Sequence, residues 1–126
     1  MDDGAPPTTG QRGEDAAAAH LQAMGYRVIA RNLRVAGVET DIVALTPEGA
    51  VAVVEVKSRR GPWPPEERVD ARKQQRLSRA ALALSERSAF RDRRFQFDVV
   101  AVNLVDELPP RVRHWPCAFD ASAPGP

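Results

Sequence analysis

The sequence predicts an α/β protein in which a mixed β-sheet is flanked by helices. The first observation is the order of patterns along the chain, which runs helix, three strands, helix and then one or two strands. The second is that residues 50–57 are apolar on both faces, as is typical of a central strand covered from both sides. With 126 residues and 43% hydrophobic content, the chain suits one domain with its own core.

Two helices are predicted from apolar residues that recur at helical spacing. The first covers residues 13–24, where Ala17 and Leu21 lie on one face and Gly25 suits the C-terminal cap. The second covers residues 69–87. Its apolar stripe consists of Val69, Leu77, Ala80, Ala81 and Leu84. We expect each helix to bury its apolar face.

Strands are predicted where apolar or alternating runs are bounded by turn residues. They cover residues 26–31, 39–45, 50–57, 95–102 and, as a short edge strand, 111–115. Pro47, Glu48 and Gly49 form a turn between the second and third strands, which predicts an antiparallel hairpin. A stiff, basic loop at residues 59–66 leads to the second helix.

The two ends of the chain differ in composition from its middle. Residues 1–9 and 116–126 are rich in proline, alanine and small polar residues, which predicts disordered tails around a folded domain at residues 10–115. Cys117 is the one cysteine, which excludes an internal disulfide framework. Because the chain has no run of about 18 apolar residues and no signal-peptide pattern, we expect a cytoplasmic protein without a membrane span.

Charge is unevenly distributed along the chain, although the net charge is only +1. In residues 57–94, twelve basic against five acidic residues leave +7, and the remaining six basic and twelve acidic residues leave −6. A basic segment beside an acidic site fits a protein that binds a polyanion and holds metal ions. Taken alone, the basic segment is explained equally well by a solvated, arginine-rich face.

Two neighbouring strands carry charged residues where burial makes an isolated charge costly. Glu55 and Lys57 are two positions apart, so their side chains point to the same side of the sheet. A plain salt bridge would explain this pair alone. Asp41 begins the preceding strand, however, and a turn at residues 46–49 returns the chain to the level of Asp41. We therefore expect two carboxylates and one ammonium group to converge at one edge of the sheet.

This triad suits the hydrolysis of a phosphodiester bond. Magnesium prefers a few carboxylates together with water and phosphate oxygens, and manganese is expected to substitute for it. Asp41 and Glu55 would bind the metal ion, while Lys57 would orient the attacking water or neutralise the transition state. The chain has sixteen arginines but only two lysines, at positions 57 and 73, which favours a specific need for an ammonium group.

Other ionisable residues near these patterns have more than one explanation. Glu14 faces inward from the first helix, where it either completes the metal site or interacts with the helix N-terminus. Glu39 shares a strand face with the first acid of the triad and either supports the metal ligands from behind or is simply exposed. His20, His114 and Asp98 are expected to be structural rather than metal ligands.

The basic residues on the second helix and in the loop before it are candidates for contact with nucleic acid. Arg72, Arg76 and Arg79 follow one another at i, i+4 and i+7 and form one basic face. Lys73 reaches the site or a phosphate, or else extends past the core to solvent. Trp63 offers a ring on which a base could stack. The full set is Arg59, Arg60, Trp63, Arg72, Lys73, Arg76 and Arg79.

These residues resemble the YraN-like family of predicted endonucleases. That family belongs to the restriction-endonuclease-like PD-(D/E)XK superfamily and is related to archaeal Holliday-junction resolvases. The resemblance runs over residues 10–102 and is carried by the segments GQRGEDAAAAHLQAMGYRVIARN, GVETDIVAL, VVEVKSR, VDARKQQRL and RFQFDVVAV. Two positions depart from the usual glycine-glycine-Glu-Ile-Asp pattern, since Val38 stands in place of a glycine and Thr40 in place of isoleucine.

The resemblance implies a restriction-endonuclease-like core of helix, three strands, helix and strand. It also implies magnesium-dependent cleavage of DNA by Asp41, Glu55 and Lys57, with Glu14 as the helix-borne acid. Branched or damaged DNA is a candidate substrate, and a homodimer is left open because the related resolvases act as dimers. Two alternatives remain, a nucleic-acid-binding adaptor that no longer cuts and a structural α/β protein whose triad is a salt bridge.

Overall fold

A computed structural model gives the fold of residues 4–61 and 68–121. The elements are α1 (Thr9–Ala23), β1 (Arg27–Val35), β2 (Val38–Leu45), β3 (Val51–Arg60), α2 (Ala71–Ser85), a 3-10 turn (Ser88–Phe90), β4 (Phe95–Leu104) and β5 (Arg111–Phe119). This order confirms the predicted fold class. Trp63 and most of the predicted basic loop lie outside the described residues. No helix within the two described ranges is long and apolar enough to cross a membrane.

The five strands form one mixed sheet in the order β1-β2-β3-β4-β5. β1 with β2, β2 with β3, and β4 with β5 are antiparallel pairs, whereas β3 and β4 are parallel. Parallel neighbours need a crossover, and the segment that contains α2 provides it. The predicted hairpin between β2 and β3 is present, with Leu45 opposite Val51.

β3 is the central strand, and its two faces belong to two different core clusters. Val51 and Val53 pack in one cluster with Leu77 and Leu84 of α2. The alternate residues of β3, among them Val54, pack in the other cluster with residues of α1. The helices therefore cover opposite faces of the sheet, which explains why residues 50–57 are apolar on both sides.

α1 begins earlier than the predicted residue 13 because its N-terminus is capped. The Thr8 hydroxyl accepts a hydrogen bond from the Gln11 N–H, and the Gln11 side chain accepts one from the Thr8 N–H. Farther along, α1 approaches β3 closely at Gly13. A Cβ added there would lie 2.6 Å from the Ser58 Cβ and would overlap the Ser58 hydroxyl. Glycine at this position thus lets the first turns of α1 lie directly against β3.

β5 runs to Phe119, four residues past the predicted domain boundary at 115. Residues 116–126 were predicted as a tail because they are rich in proline, alanine and small polar residues. Pro116 cannot donate a ladder hydrogen bond. On an edge strand that loss is tolerated. Phe119 then stacks on Phe97 of β4, with ring centroids 4.9 Å apart and the planes 12° from parallel. This contact keeps residues 116–119 in the sheet, although they were placed in the C-terminal tail.

Candidate active site

The sheet splits between β2 and β3. Their pairing runs from Leu45 opposite Val51 as far as Ile42 opposite Val54, where it stops. Beyond this point β3 stays paired with β4 through Arg60, and β2 stays paired with β1. We call the opening between residues 38–41 of β2 and 55–60 of β3 the fork. Backbone groups that would have paired across the fork must find other partners there.

Asp41 lies at the point where the fork opens. Its Oδ2 accepts a hydrogen bond of 2.8 Å from the Val56 N–H, so the side chain replaces a lost backbone partner. The Glu55 carboxyl group is its neighbour, and the two acids hydrogen-bond to each other when one of them is protonated. Burial, this hydrogen bond and the charge of Glu55 together raise the pKa of Asp41 to about 7, against the opposing effects of the Val56 N–H and Lys73. The structure therefore places the two acids side by side.

A lysine from α2 completes this group of charges. The Lys73 Nζ lies 3.2 Å from Oε2 of Glu55, whose side chain is only 12% exposed. Lys73 is placed there by the start of α2, where Asp70 caps the helix by accepting from the Lys73 N–H. Lys73 was expected to reach the site, a phosphate or solvent, and in the structure it reaches the acid pair.

Within the described residues, Lys57 does not contact the two acids, although the sequence predicted that all three side chains would converge. It is half-buried on the same side of β3 as Glu55, beside Ala101 of the parallel neighbour. Among residues 4–61 and 68–121, no hydrogen bond or ion pair joins its ammonium group to the acids. The structure thus groups Asp41, Glu55 and Lys73 and leaves Lys57 two residues farther along β3, on the same face as Glu55.

The fork opens into a cavity of about 350 Å³ on the α1 side of the sheet. Its walls come from both strands of the fork, from α1 and from β1. The lining residues are Gly10, Glu14, Asn32, Glu39, Asp41, Val56 and Ser58. The two further acids predicted for the site, Glu14 and the exposed Glu39, therefore share one cavity with Asp41.

Glu14 does not touch the two paired acids. Its Oε1 accepts a hydrogen bond of 3.0 Å from the Arg31 Nε and one of 2.9 Å from the Asn32 Nδ2. Arg31 also binds Asp15, with 2.7 Å between its Nη2 and Oδ1. Arg31 and Asn32 were not predicted as site residues. The available signal was an Arg-Asn step directly after a strand pattern, since asparagine tolerates the positive φ of 52° that it has here.

Two carboxylates form the candidate metal centre. Within the described residues, no group of three or more His, Cys, Asp or Glu side chains is placed to hold a metal ion, so Glu14 does not join Asp41 and Glu55 as a third ligand. Magnesium commonly takes one or two carboxylates and completes its shell with water and substrate phosphate. The pair fits that donor set, because burial and the neighbouring Glu55 raise the pKa of Asp41 and a bound cation would offset the repulsion between the two carboxylates.

The basic residues predicted to contact nucleic acid are exposed around this centre. Arg72, Arg76 and Arg79 are exposed on α2, on the helix that carries Lys73 to the fork. Arg59 and Arg60 are exposed at the end of β3. Five of the predicted basic residues are thus exposed, three on the helix that carries Lys73 and two at the end of β3.

A mixed sheet that splits beside two paired carboxylates, with a lysine supplied by a flanking helix, defines an α/β protein with a candidate cation and phosphate site. The chain belongs to the family described as "Uncharacterised protein family UPF0102", whose model matches residues 13–102. This is the YraN-like family that its motifs resemble.

Relatives of this family match most of the chain. A UPF0102 protein of Trichlorobacter lovleyi is 42% identical over 113 residues, covering 88% of this chain and 89% of that protein. One of Geobacter sulfurreducens is 44% identical over 114 residues, covering 88% of each. Among solved structures, one titled "Structure of EndoMS-dsDNA2 complex" matches 77% of this chain and 38% of its own, with a TM-score of 0.46 and 16% identity.

Proposed function

We propose that this protein is a magnesium-dependent endonuclease that hydrolyses phosphodiester bonds in DNA. The observation that carries the proposal is the Asp41–Glu55 carboxyl pair at the fork, with a lysine ion-paired to it. An acid whose pKa is raised by burial and by a second acid is costly to keep, and such groups concentrate at functional sites. The resemblance to predicted endonucleases points to the same chemistry.

Each residue at the fork has a distinct part in this proposal. Asp41 and Glu55 bind the ion, and the Val56 N–H fixes the orientation of Asp41. Bound magnesium would supply a Lewis acid for the phosphate and lower the pKa of a water. Lys57 donates to the attacking water or to a phosphate oxygen, while Lys73 balances the charge of Glu55. Manganese is expected to replace magnesium because the ligands are the same oxygens.

The basic surface around the fork supports a nucleic acid as the substrate. Arg72, Arg76 and Arg79 are exposed beside Lys73 and suit contact with a phosphate backbone. Contacts of this kind position a strand without reading its sequence. We therefore propose branched or damaged DNA as the substrate, bound by one copy of the protein or by a homodimer.

The test is cleavage of end-labelled junction, flap, duplex and single-stranded DNA with magnesium or manganese. Wild-type protein should cut at least one of them, and Lys57→Ala and Asp41→Asn should each slow cleavage roughly 100-fold or more. Asp92→Asn, which removes an exposed acid from the turn before β4, at the end of the sheet opposite the fork, is the matched control and should cut like wild type. No product from wild type on any substrate would count against an enzyme.

A second candidate is a DNA-binding adaptor with this fold that does not cut. It is favoured by the exposed basic face of α2, which needs no metal to bind DNA. The adaptor predicts salt-dependent DNA binding that neither EDTA nor Asp41→Asn changes, and no cleavage. Sedimentation with and without DNA would show in the same samples whether the protein acts as a homodimer.

A further inference from the structure

Arg31 and Asn32, at the middle of β1, hold the helix-borne acid in one orientation. The Arg31 Nε and the Asn32 Nδ2 both donate to the same oxygen, Oε1 of Glu14. We call these two residues the Glu14 clamp. Within the described residues, none of the recorded bonds to Glu14 ends on Oε2, which leaves that oxygen to the cavity that Glu14 lines.

The position of Asn32 ties the clamp to the acid pair. In the β1–β2 register Arg31 lies opposite Ile42 and Leu33 opposite Thr40, so Asn32 lies across from Asp41. Both Asn32 and Asp41 line the cavity. Asn32 therefore joins two features of the site, since its side chain bonds to the acid of α1 and its strand position lies beside the acid of β2.

Stability alone does not account for the clamp. Ion pairs with an exposed member contribute little to folding, and Arg31 is 38% exposed while Asp15 is 63% exposed. Asn32 moreover has a φ of 52°, a left-handed conformation that costs free energy in any residue with a side chain. Glu14, in contrast, is only 13% exposed. The exposed Arg31 and the strained Asn32 serve to orient a largely buried acid that lines the cavity.

We infer that Arg31 and Asn32 are positioning residues that present Oε2 of Glu14 to water in the cavity that Asp41 also lines. This inference rests on the proposed function. In hydrolysis, Glu14 accepts a hydrogen bond from a water molecule at the fork, and the clamp keeps that oxygen at a fixed place. Asp15 anchors the guanidinium of Arg31 from outside the cavity.

Asn32→Gly tests the clamp with little disturbance of the backbone. Glycine tolerates a φ of 52° and removes only the amide donor. Ala36→Gly is the matched control, because Ala36 has a φ of 51° in the β1–β2 turn and does not line the cavity. We expect Asn32→Gly and Arg31→Gln to lower kcat about 10- to 100-fold with little change in KM for DNA. Ala36→Gly and Arg27→Gln should leave kcat unchanged.

A double-mutant cycle separates positioning from general damage. If the clamp acts through Glu14, Asn32→Gly should cause no further loss of kcat in a Glu14→Gln background. A purely structural role would lower the urea midpoint of unfolding and leave kcat intact. An undiminished effect of Asn32→Gly in the Glu14→Gln background would overturn the inference, as would wild-type kcat in Asn32→Gly.

The clamp is also measurable without DNA or metal. The side-chain amide protons of Asn32 should exchange slowly with water in NMR spectra of the wild type and rapidly in Glu14→Ala. Fast exchange in the wild type would overturn the inference even if the protein cleaves DNA. Slow exchange together with no cleavage by the wild type would instead overturn the proposed function, and the catalytic part of the inference with it.

Discussion

Asp98 and Asp41 lie on the two strands that flank β3, and the protein shifts the pKa values of their carboxyl groups in opposite directions. Asp98 is fully buried and receives four hydrogen bonds. The donors are the Tyr26 hydroxyl, the Gln96 amide, the His114 ring and the Cys117 N–H. Burial by itself would raise the pKa of Asp98, but the bonds from His114, Gln96 and Tyr26 outweigh it and hold the pKa below its ordinary value.

Asp41 is also largely withdrawn from water, but it has too few hydrogen-bond donors around it to stabilise a charged carboxylate. It accepts one backbone hydrogen bond and otherwise faces a second acid, so its pKa rises to about 7. The difference teaches how to separate two kinds of buried acid. A carboxylate with all its partners in place, as at Asp98, holds the fold together. One that lacks partners, as at Asp41, is available to a ligand.

The largest predicted effect is the loss of stability in Asp98→Asn. An amide places an NH₂ group where four donors converge, so at least one donor–acceptor bond becomes a contact between donors. We expect the free energy of unfolding to fall by about 3 kcal/mol. Asp41→Asn should leave it equal to or above the wild-type value at pH 8, because it removes repulsion from Glu55. Urea unfolding of both variants measures the contrast.

An equal loss in the free energy of unfolding of Asp98→Asn and Asp41→Asn would contradict this comparison. Asp106→Asn controls for the loss of an exposed acid and should stay within about 0.5 kcal/mol of the wild type. If Asp41→Asn destabilised the protein as much as Asp98→Asn, the Asp41 carboxylate would be a structural group and the argument for a ligand site at the fork would lose its basis.

The next effect concerns α1, which brings Glu14 to the fork and His20 to the neighbourhood of His114. In Gly13→Ala the new methyl group overlaps Ser58, so we expect a loss of about 2 kcal/mol in the free energy of unfolding. Ser58→Gly should restore most of it, since the nearest atom would then be the backbone Cα at 3.6 Å. Gly10→Ala is the control, because only Thr8 lies within 4 Å of its added Cβ.

Failure of Ser58→Gly to compensate would show that the helix is held at this distance by other contacts. Compensation would show that one small residue sets the distance between α1 and β3, and therefore the width of the cavity. The hydrogen bond from the Tyr26 hydroxyl to Asp98 distinguishes a local effect at Gly13 from a general loss of structure. Gly13→Ala should change this bond little, because Tyr26 follows the C-terminal end of α1.

The hairpin and its acid pair were predictable because a turn fixes register. Once residues 46–49 reverse the chain, strand alternation decides which side chains share a face, and Asp41 falls beside Glu55. The apolar run of residues 50–57 likewise indicated a strand covered on both sides. Local patterns are sufficient for features of this kind, because all the residues that determine them are within one hairpin.

The clamp and the surroundings of Asp98 were not predictable in this way. Asp98 was expected to make a structural hydrogen bond, but its partners Tyr26 and His114 come from segments 72 and 16 residues away. Arg31 is the last residue of its predicted strand, and no pattern in the sequence indicated that its side chain would bind Glu14 and Asp15 of α1. The end of pairing between β2 and β3 depends on the divergence of two strands in space, which no spacing in the sequence records.

A smaller effect sharpens the comparison through pH. In the folded protein Asp41 keeps a proton up to a pKa of about 7, whereas its ordinary value is 3.8. The folded state thus binds more protons than the unfolded chain between these values, and Asp41 makes the free energy of unfolding fall as pH rises through that window. The slope from one proton is at most about 1.4 kcal/mol per pH unit.

Asp98 and His20 have the opposite dependence. The pKa of Asp98 is lowered, so its stabilisation is lost as pH falls through that lowered value. Burial, followed by the charge of His114, lowers the pKa of His20, so its contribution is lost as pH falls below 6.5. Urea unfolding of wild type and Asp41→Asn from pH 4.5 to 8 isolates Asp41. The advantage of the variant should grow with pH, and a constant difference would refute the raised pKa.

The smallest effect distinguishes the two lysines. Lys73 pairs with Glu55 while 37% exposed, so Lys73→Gln should cost less than about 1 kcal/mol of stability. Its charge lowers the pKa of Asp41, and its loss should therefore raise that pKa further, which ¹³C NMR of the carboxyl carbon would detect. Lys57→Gln should change the pKa of Asp41 less than Lys73→Gln does, since Lys57 makes no ion pair with these acids within the described residues. It should nevertheless slow cleavage more than Lys73→Gln. The reverse ranking would make Lys73 the lysine that acts on the phosphate and Lys57 the one that balances charge.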